Sequence, residues 1–327
     1  MQPSRSHANQ VSKSNRRYER LQLPPSYNLQ QMARNTHVET SARNQAMKNT
    51  IAVMNSKGGV GKSTVVMGLA ETFSVFDGKS VLVIDSDAQA SISAMLMSTN
   101  DLYRLQTGGQ TIVEYLIATV LNKQKEDWRT YVVAGVSDVD DANSISLLPS
   151  DVQLTLFERE VSRESQHLRL RTVIGDLLEH LRSSFDIILI DCPPGLSVLT
   201  ESWLREADFY ISPTKADYIS TCGLEVFRRF KSLHPEMGFA QNLGVVINMK
   251  DMTSKVDGDY HDWLQQDPDN RCFQSVLARM TVLQDAARFT EIERSFTAKY
   301  PGSAGRTLRQ LATEITVRIA QSMVKNV

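Results

Sequence analysis

The run Ser56-Lys57-Gly58-Gly59-Val60-Gly61-Lys62-Ser63-Thr64 has the residue types and spacing needed to hold a polyphosphate. Its glycines let backbone N–H groups turn inward around phosphate oxygens, and a helix opening at this point adds a favourable dipole. Lys62 is placed to reach the β- and γ-phosphates, and the Ser63 hydroxyl to ligate Mg²⁺. Against the general pattern G-x-x-x-x-G-K-[ST], the first position falls on Ser56 and a second lysine, Lys57, starts the loop. Standing alone, Lys57 would read as a solvated surface lysine. Inside this motif, a cation there can offset charge on a transferring phosphoryl group.

Two carboxylate segments follow. Ile84-Asp85-Ser86-Asp87-Ala88-Gln89 ends an apolar run, and the side-chain period of two puts Asp85 and Asp87 on one side if the strand continues. Ligands of parallel α/β sheets sit at the carboxyl ends of strands, so both aspartates should face the loop's nucleotide. Ile187-Ile-Leu-Ile190 runs into Asp191, the Walker B arrangement, in which Asp191 holds Mg²⁺ through water. Pro193-Pro194-Gly195 then forces a tight non-helical turn. Cys192 reads as a packing residue because no His is placed to activate it. Val245-Val-Ile-Asn248 ends a late strand with an amide that could pair with an adenine edge or serve simply as a turn residue.

The Lys57-Gly-Gly-Val-Gly-Lys62-Ser63 loop resembles the deviant Walker A of the ParA/MinD group of ATPases. That resemblance implies ATP with Mg²⁺, and a Lys57 that crosses a dimer interface to nucleotide in the partner subunit. It implies that Asp85 supports the Mg²⁺ shell with Ser63 and Asp191, that Asp87 orients or activates the attacking water, and that Asn248 recognises adenine. Leu148-Pro149-Ser150 with Leu154 extends the likeness, which spans roughly residues 51–250. Ala88 replaces the family's usual Pro, and Ala90-Ser91 its usual Gly-Asn, so a less rigid segment is expected there. Bases and phosphates would thus contact Lys57, Gly58, Gly59, Val60, Gly61, Lys62, Ser63, Thr64 and Asn248.

These groups need strands to carry them. Short apolar runs at Ile51–Met54, Val81–Ile84, Ile145–Leu148, Ile187–Ile190, Phe209–Ile211 and Val245–Ile247 read as strands covered on both faces. Helix-length stretches lie at Val65–Phe76 and around 111–122, 151–182, 197–206 and 220–233. Such alternation predicts an α/β fold, a mostly parallel central sheet flanked by helices on both faces. Residues 250–270 are acidic and turn-rich and read as an insertion or loop. Leu308, Leu311, Ile315, Ile319 and Met323 are spaced to form one apolar helix face. Residues 1–50 are polar, with little apolar surface to offset ordering entropy, and read as a largely flexible arm with a short helix compatible around Tyr27–Met32. Residues 51–327 then form one ATPase domain.

The 327 residues carry 36 Lys+Arg and 37 Asp+Glu, a net charge of −1 that conceals strong regional differences. Residues 1–50 sum to +6, 51–270 to −12 and 271–327 to +5. Three scattered cysteines form neither a disulfide framework nor a CxxC pair, and no window approaches a membrane span. The first 25 residues lack the apolar stretch of a secretory signal, so a cytoplasmic setting is expected.

Basic ends around an acidic centre discriminate among functions. ParA-type proteins bind DNA non-specifically as ATP dimers through a basic C-terminal face, and the resemblance implies this role for Arg271, Arg279, Arg306 and Arg309. It also implies a nucleoid-associated homodimer, released when a ParB-like partner stimulates slow hydrolysis, in plasmid or chromosome partition or in positioning a protein cargo. A MinD-like membrane ATPase is the alternative. Its terminal amphipathic helix should present more cations than Arg318 and Lys325, so no membrane partner is expected. A binding module without turnover is disfavoured by intact Lys62, Ser63, Asp87 and Asp191.

Overall fold

The computed structural model describes residues 49–324. The expected arm and the helix around Tyr27–Met32 lie outside the described residues, apart from Asn49 and Thr50, which are already buried. Among the described residues, seven strands form one sheet: β1 (Thr50–Val53), β2 (Val81–Asp85), β3 (Val133–Ala134), β4 (Ile145–Leu148), β5 (Ile187–Asp191), β6 (Phe209–Thr214) and β7 (Gln241–Ile247). Their order is β3-β4-β2-β5-β1-β6-β7, and every pairing is parallel except that of the two-residue edge strand β3 with β4. The expected α/β architecture is therefore present, with β3 an addition that two half-exposed residues could not announce.

Side-chain alternation divides the strands between two cores. Ile51 and Val53, Val81 and Val83, Ile187 and Leu189 face one side with helix α1 (Lys62–Asp77) and the C-terminal helix. Ala52, Leu82 and Ile84, Ile188 and Ile190 face the other with α5 (Leu154–Val161), α6 (Glu164–Arg182) and α7 (Val198–Glu206). Between β2 and β4 lie α2 (Ser91–Leu96), α3 (Thr99–Thr107) and α4 (Ile112–Leu116), the last running into a π-helical turn at Ile117–Leu121. The stretch 151–182, read as continuously helical, is interrupted between Val161 and Glu164.

After β6 come α8 (Tyr218–Leu233), then α9 (Lys255–Gln266), α10 (Thr281–Ala286), α11 (Phe296–Lys299) and α12 (Ser303–Val324). Residues 250–270 differ from the expectation of a loop. Ser254 caps α9 by accepting from Asp257 N–H, and Leu264 is fully buried with Ile247 and Ala216. A first-turn Asp and an N-cap Ser overcame the turn-rich composition. Helix α12 packs on α1 through Leu308, Leu311 and Ile315, with Ile319 partly buried, while Met323, the last position of the expected apolar face, is exposed.

A second contact fixes the C-terminal part to α1. Lys299 Nζ, fully buried, donates to Glu71 Oε1 and Asp138 Oδ1, each at 2.6 Å. The Tyr300 hydroxyl donates to Glu71 Oε2 at 2.6 Å, and Arg294 reaches Asp138 Oδ2 at 2.8 Å. Burial alone would raise the Asp138 carboxyl, but Lys299 and Arg294 outweigh it and hold it below the usual range. Removing one member of a buried ion group strands the others without compensation. Lys299→Met should cost about 3–5 kcal/mol in urea unfolding; a loss below about 1 kcal/mol would show the network to be dispensable.

Candidate active site

The strand order places three chain segments side by side. β5 lies between β1 and β2, with Val53 opposite Asp191 and Asp191 opposite Asp85 in register. The loop leaving β1 therefore passes over two carboxylates at adjoining strand ends. Ser86 N–H donates to the Asp191 carbonyl at 3.0 Å, and Cys192 N–H to that of Val53 at 3.2 Å, which stitches the three strand ends together. Cys192 is fully buried, and burial pushes its thiol well up, as expected of a packing residue.

The phosphate loop is braced from both flanks. Asn55 Nδ2 donates to the Pro213 carbonyl at 2.8 Å, while its Oδ1 accepts from Lys57 N–H at 2.9 Å. Ser56 Oγ donates to the Gly223 carbonyl at 2.8 Å, which requires α8 to come close: a Cβ at Gly223 would stand 2.9 Å from Ser56 Oγ. Gly61 caps α1 at φ 81°, and a Cβ there would collide with the Asn248 amide. Gly58 and Gly59 are exposed, Lys57 and Thr64 half-buried, and Val60 buried. Lys62 is largely buried and its Nζ donates to the Lys57 carbonyl at 3.4 Å, folding across the loop. Burial lowers its pKa against the opposing fields of Asp191 and Asp87.

The carboxylates differ sharply in how they are satisfied. Asp85 is fully buried, and both oxygens are in use: Oδ1 accepts from Asp87 N–H at 3.1 Å, and Oδ2 from Ser93 N–H at 3.0 Å and Ser93 Oγ at 2.6 Å. Burial raises it to about 7 despite those bonds. The switch segment takes up both its oxygens, so its support of a Mg²⁺ site would act through that segment. Asp191 is equally buried, yet neither of its oxygens has a hydrogen-bond partner within normal distance. Burial, then the neighbouring Asp85, raises it to about 8, while the nearby Ser63 hydroxyl and the Lys62 charge pull it down.

A buried carboxylate without partners, beside a lysine and a serine hydroxyl, fits a hard cation. Ser63 and Asp191 would hold Mg²⁺, whose remaining positions need phosphate and water oxygens. Asp87 is half-buried, with Oδ1 accepting from Gln89 N–H at 2.9 Å in a tight turn. That turn ends at Ala90, at φ 50° and ψ 35°, the N-cap of α2. The departure from the family's Gly thus places a methyl-bearing residue in the left-handed region, a strain and not merely a loss of rigidity.

Asn248 is tied to the phosphate loop. Its Nδ2 donates to the Val60 carbonyl at 2.8 Å, its Oδ1 accepts from Met249 N–H at 2.9 Å, and the residue is 2% exposed. It braces the loop here, and pairing with an adenine edge would exchange these bonds. Ser93, Asn55 and Gly223 escaped the sequence reading. Only Asn55 carried a visible signal, an Asn at a strand end directly before a glycine-rich loop.

The basic residues fall into two groups. Arg306 and Arg309 line a cleft of about 670 Å³ along α12 with Gln274, Gln310 and Thr313. Gln274 also borders an adjoining cleft of about 360 Å³ that includes Arg271. Arg279 lines neither and stands near Asp251, beyond the end of β7. Glu314, the acid in this strip, accepts from Gln274 N–H and Ser275 N–H at 2.8 and 2.9 Å, so its charge is directed at backbone. Arg309 stacks over the Phe76 ring at 4.1 Å. Arg318 is turned inward onto the carbonyls of Leu243, Arg271 and Cys272 and serves structure.

Two outcomes follow from the strained and buried groups. Ala90→Gly should stabilise the fold by about 1 kcal/mol in chemical denaturation, by relieving the left-handed conformation; a loss of stability would contradict the strain. For Asp191, the folded pKa is raised, so between pH 4 and about 8 the unfolded chain ionises while the folded site keeps its proton. Stability is therefore lost as pH rises through that window. Without nucleotide or Mg²⁺, Asp191→Asn should gain on the parent by roughly 1–3 kcal/mol between pH 5 and pH 8. A pH-independent difference would refute the shift.

Comparison with known proteins places this geometry. The AAA domain family model matches residues 48–239. The chromosome partitioning protein ParA of Caulobacter vibrioides is 26% identical over 281 residues, covering 82% of this chain and 94% of that protein. Among solved structures, apo McdA of Cyanothece superposes with a TM-score of 0.65 at 20% identity, covering 84% of this chain and all of the other. A putative plasmid partition protein of Borrelia burgdorferi bound to AMPPNP gives 0.63 at 21%, covering 83% and 99%. The chain matches that AAA domain over most of its sheet and carries the double-lysine loop, and it belongs to the ParA family of P-loop ATPases.

Proposed function

We propose that this protein is a Mg²⁺-dependent ATPase in which ATP binding assembles a homodimer that holds DNA without sequence preference, and hydrolysis releases it. The observation that carries this reading is the seating of α12 on α1. Helix α1 begins at Lys62, inside the phosphate loop, and α12 carries Arg306 and Arg309 along its cleft. One helix pair thus joins the nucleotide site to the basic surface.

Lys62 and the loop amides bind and orient the phosphates, with Lys57 reaching across to the partner's nucleotide. Mg²⁺, when bound at Ser63 and Asp191, supplies Lewis-acid stabilisation of the phosphoryl charge. Asp87 accepts from the attacking water and orients it in line. Asp191 and Lys62 sit in a dry strand end, where their charges act with little screening. Asp85 holds the Asp87 turn in place. Slow turnover serves as a timer, and a ParB-like partner shortens it.

Arg271, Arg306 and Arg309 meet the DNA backbone, and pairing two protomers doubles each weak patch. Arg279 belongs to this surface only if dimerisation or DNA brings it there. The relatives named for chromosome and plasmid partition support a DNA cargo. Among the described residues no helix is long and apolar enough to cross a membrane. The apolar positions Leu308, Leu311 and Ile315 of α12 are spent on the core, which favours DNA over a lipid surface as its partner.

Lys62→Ala and Asp87→Ala should each abolish ATP turnover, by 100-fold or more. Arg306→Ala/Arg309→Ala should leave turnover intact while lowering ATP-dependent retention on DNA roughly tenfold, with a shallower salt dependence. Unchanged DNA retention would remove those arginines from the interface. ATP-dependent pelleting with anionic liposomes in place of DNA would overturn the choice of partner.

A further inference from the structure

Asp87 is held by a chain of hydrogen bonds that begins just past β4, the strand beside β2. Ser150 N–H, just past β4, donates to Ser93 Oγ at 3.3 Å. Ser93 Oγ in turn donates to Asp85 Oδ2 at 2.6 Å, and Ser93 N–H reaches the same oxygen at 3.0 Å. Asp85 Oδ1 accepts from Asp87 N–H at 3.1 Å. Ser93 and Ser150 are both fully buried, so no water competes for these bonds. The segment from Asp85 to Ser93 is therefore a closed loop, clasped at its two ends through one carboxylate, with Asp87 inside it.

We propose that Ser93 is a positioning residue for hydrolysis: by fixing the Asp85 carboxylate, it fixes the backbone of Asp87 and hence the aim of the Asp87 side chain. This rests on the reading of Asp87 as the group that orients the attacking water. The loop has local restraints, Gln89 N–H to Asp87 Oδ1 and Ala90 N–H to the Asp87 carbonyl, each at 2.9 Å, but its turn at Ala90 is strained. Ala90 turns it through a left-handed φ of 50°, a conformation that favours glycine, so the clasp holds a strained turn closed. Asp85 cannot hold the turn unaided. It is buried beside Asp191, and without the two donors of Ser93 its Oδ2 would have no partner there. Ser93 makes its side-chain hydrogen bonds to Asp85 and Ser150. Its contribution falls on the geometry of hydrolysis and leaves nucleotide affinity to Lys62 and the loop amides.

The test is steady-state ATP turnover of the full chain with Mg²⁺, together with the affinity for a fluorescent ATP analogue. Ser93→Ala should lower kcat roughly 10- to 100-fold, the cost of a small misplacement of a reacting group, while the KM for ATP and the analogue affinity change less than about threefold. Ser93→Thr keeps the hydroxyl and should recover most of the rate. In an Asp87→Ala background, Ser93→Ala should have no further effect on the residual rate, because its action passes through Asp87. Equal losses in both backgrounds, or a Ser93→Ala enzyme with the parental kcat, would overturn the role of Ser93. If Ser93→Ala fails to bind the analogue, the comparison passes to Ser93→Cys and Ser93→Thr; equal rates for these two would likewise overturn it. If Asp87→Ala itself retains full turnover, the reading of Asp87 falls, and that result is separable from the behaviour of Ser93.

Discussion

Two carboxylates buried side by side at the ends of adjoining strands impose the constraint around which the rest is arranged. Asp85 and Asp191 are register partners, both removed from water, and burial lifts both above the usual carboxylate range. The fold treats them differently. Asp85 is surrounded by donors from the switch segment, whereas Asp191 draws only on the nearby Ser63 hydroxyl and the Lys62 charge. An unpaired buried carboxylate is a standing cost to stability, tolerated where a ligand will use it. Two close-packed cores, one on each face of the sheet, offset that cost.

The same constraint ties the site to the distant surface. The loop that covers Asp191 launches α1, and α1 carries on its outer turns both the packing surface for α12 and Glu71, the anchor of the Lys299 network. A shift at the head of α1 therefore meets the C-terminal segment at two places. Coupling of this kind needs a contiguous, rigid path with two arrangements, and α1 is the rigid part. The charge division follows from the architecture. Asp85, Asp87 and Asp191 of the acidic centre stand at strand ends, and Arg306 and Arg309 of the basic C-terminal segment lie on α12.

How much of this was legible in the sequence depended on whether local pattern or tertiary approach decided the outcome. The loop Lys57–Thr64, Asp87 and Asp191 stood at strand ends whose apolar runs were unmistakable, and the parallel sheet followed from their alternation with helices. The brace that Asn248 gives the Val60 carbonyl was not legible, because the two lie 188 residues apart in the chain. Asp85 matched a motif, but Ser93, which satisfies it, lies on a six-residue helix too short to show a period. Residues 255–266 formed a helix because Ile247 and Ala216 offered Leu264 a place to bury, which composition does not reveal. Arg318 looked like any other surface cation until the sheet edge turned its guanidinium onto three carbonyls.

The central claim is that Asp191 is kept buried and unpaired so that Mg²⁺ and ATP can complete it. Isothermal titration calorimetry of Mg·ATP binding at pH 7.5, in two buffers of different ionisation enthalpy, tests it directly. Because the raised Asp191 holds its proton in the free protein and must lose it to face a cation, binding should release between about half a proton and one proton per site. That release should vanish in Asp191→Asn. Tight binding by the parent protein with no proton release would contradict the account.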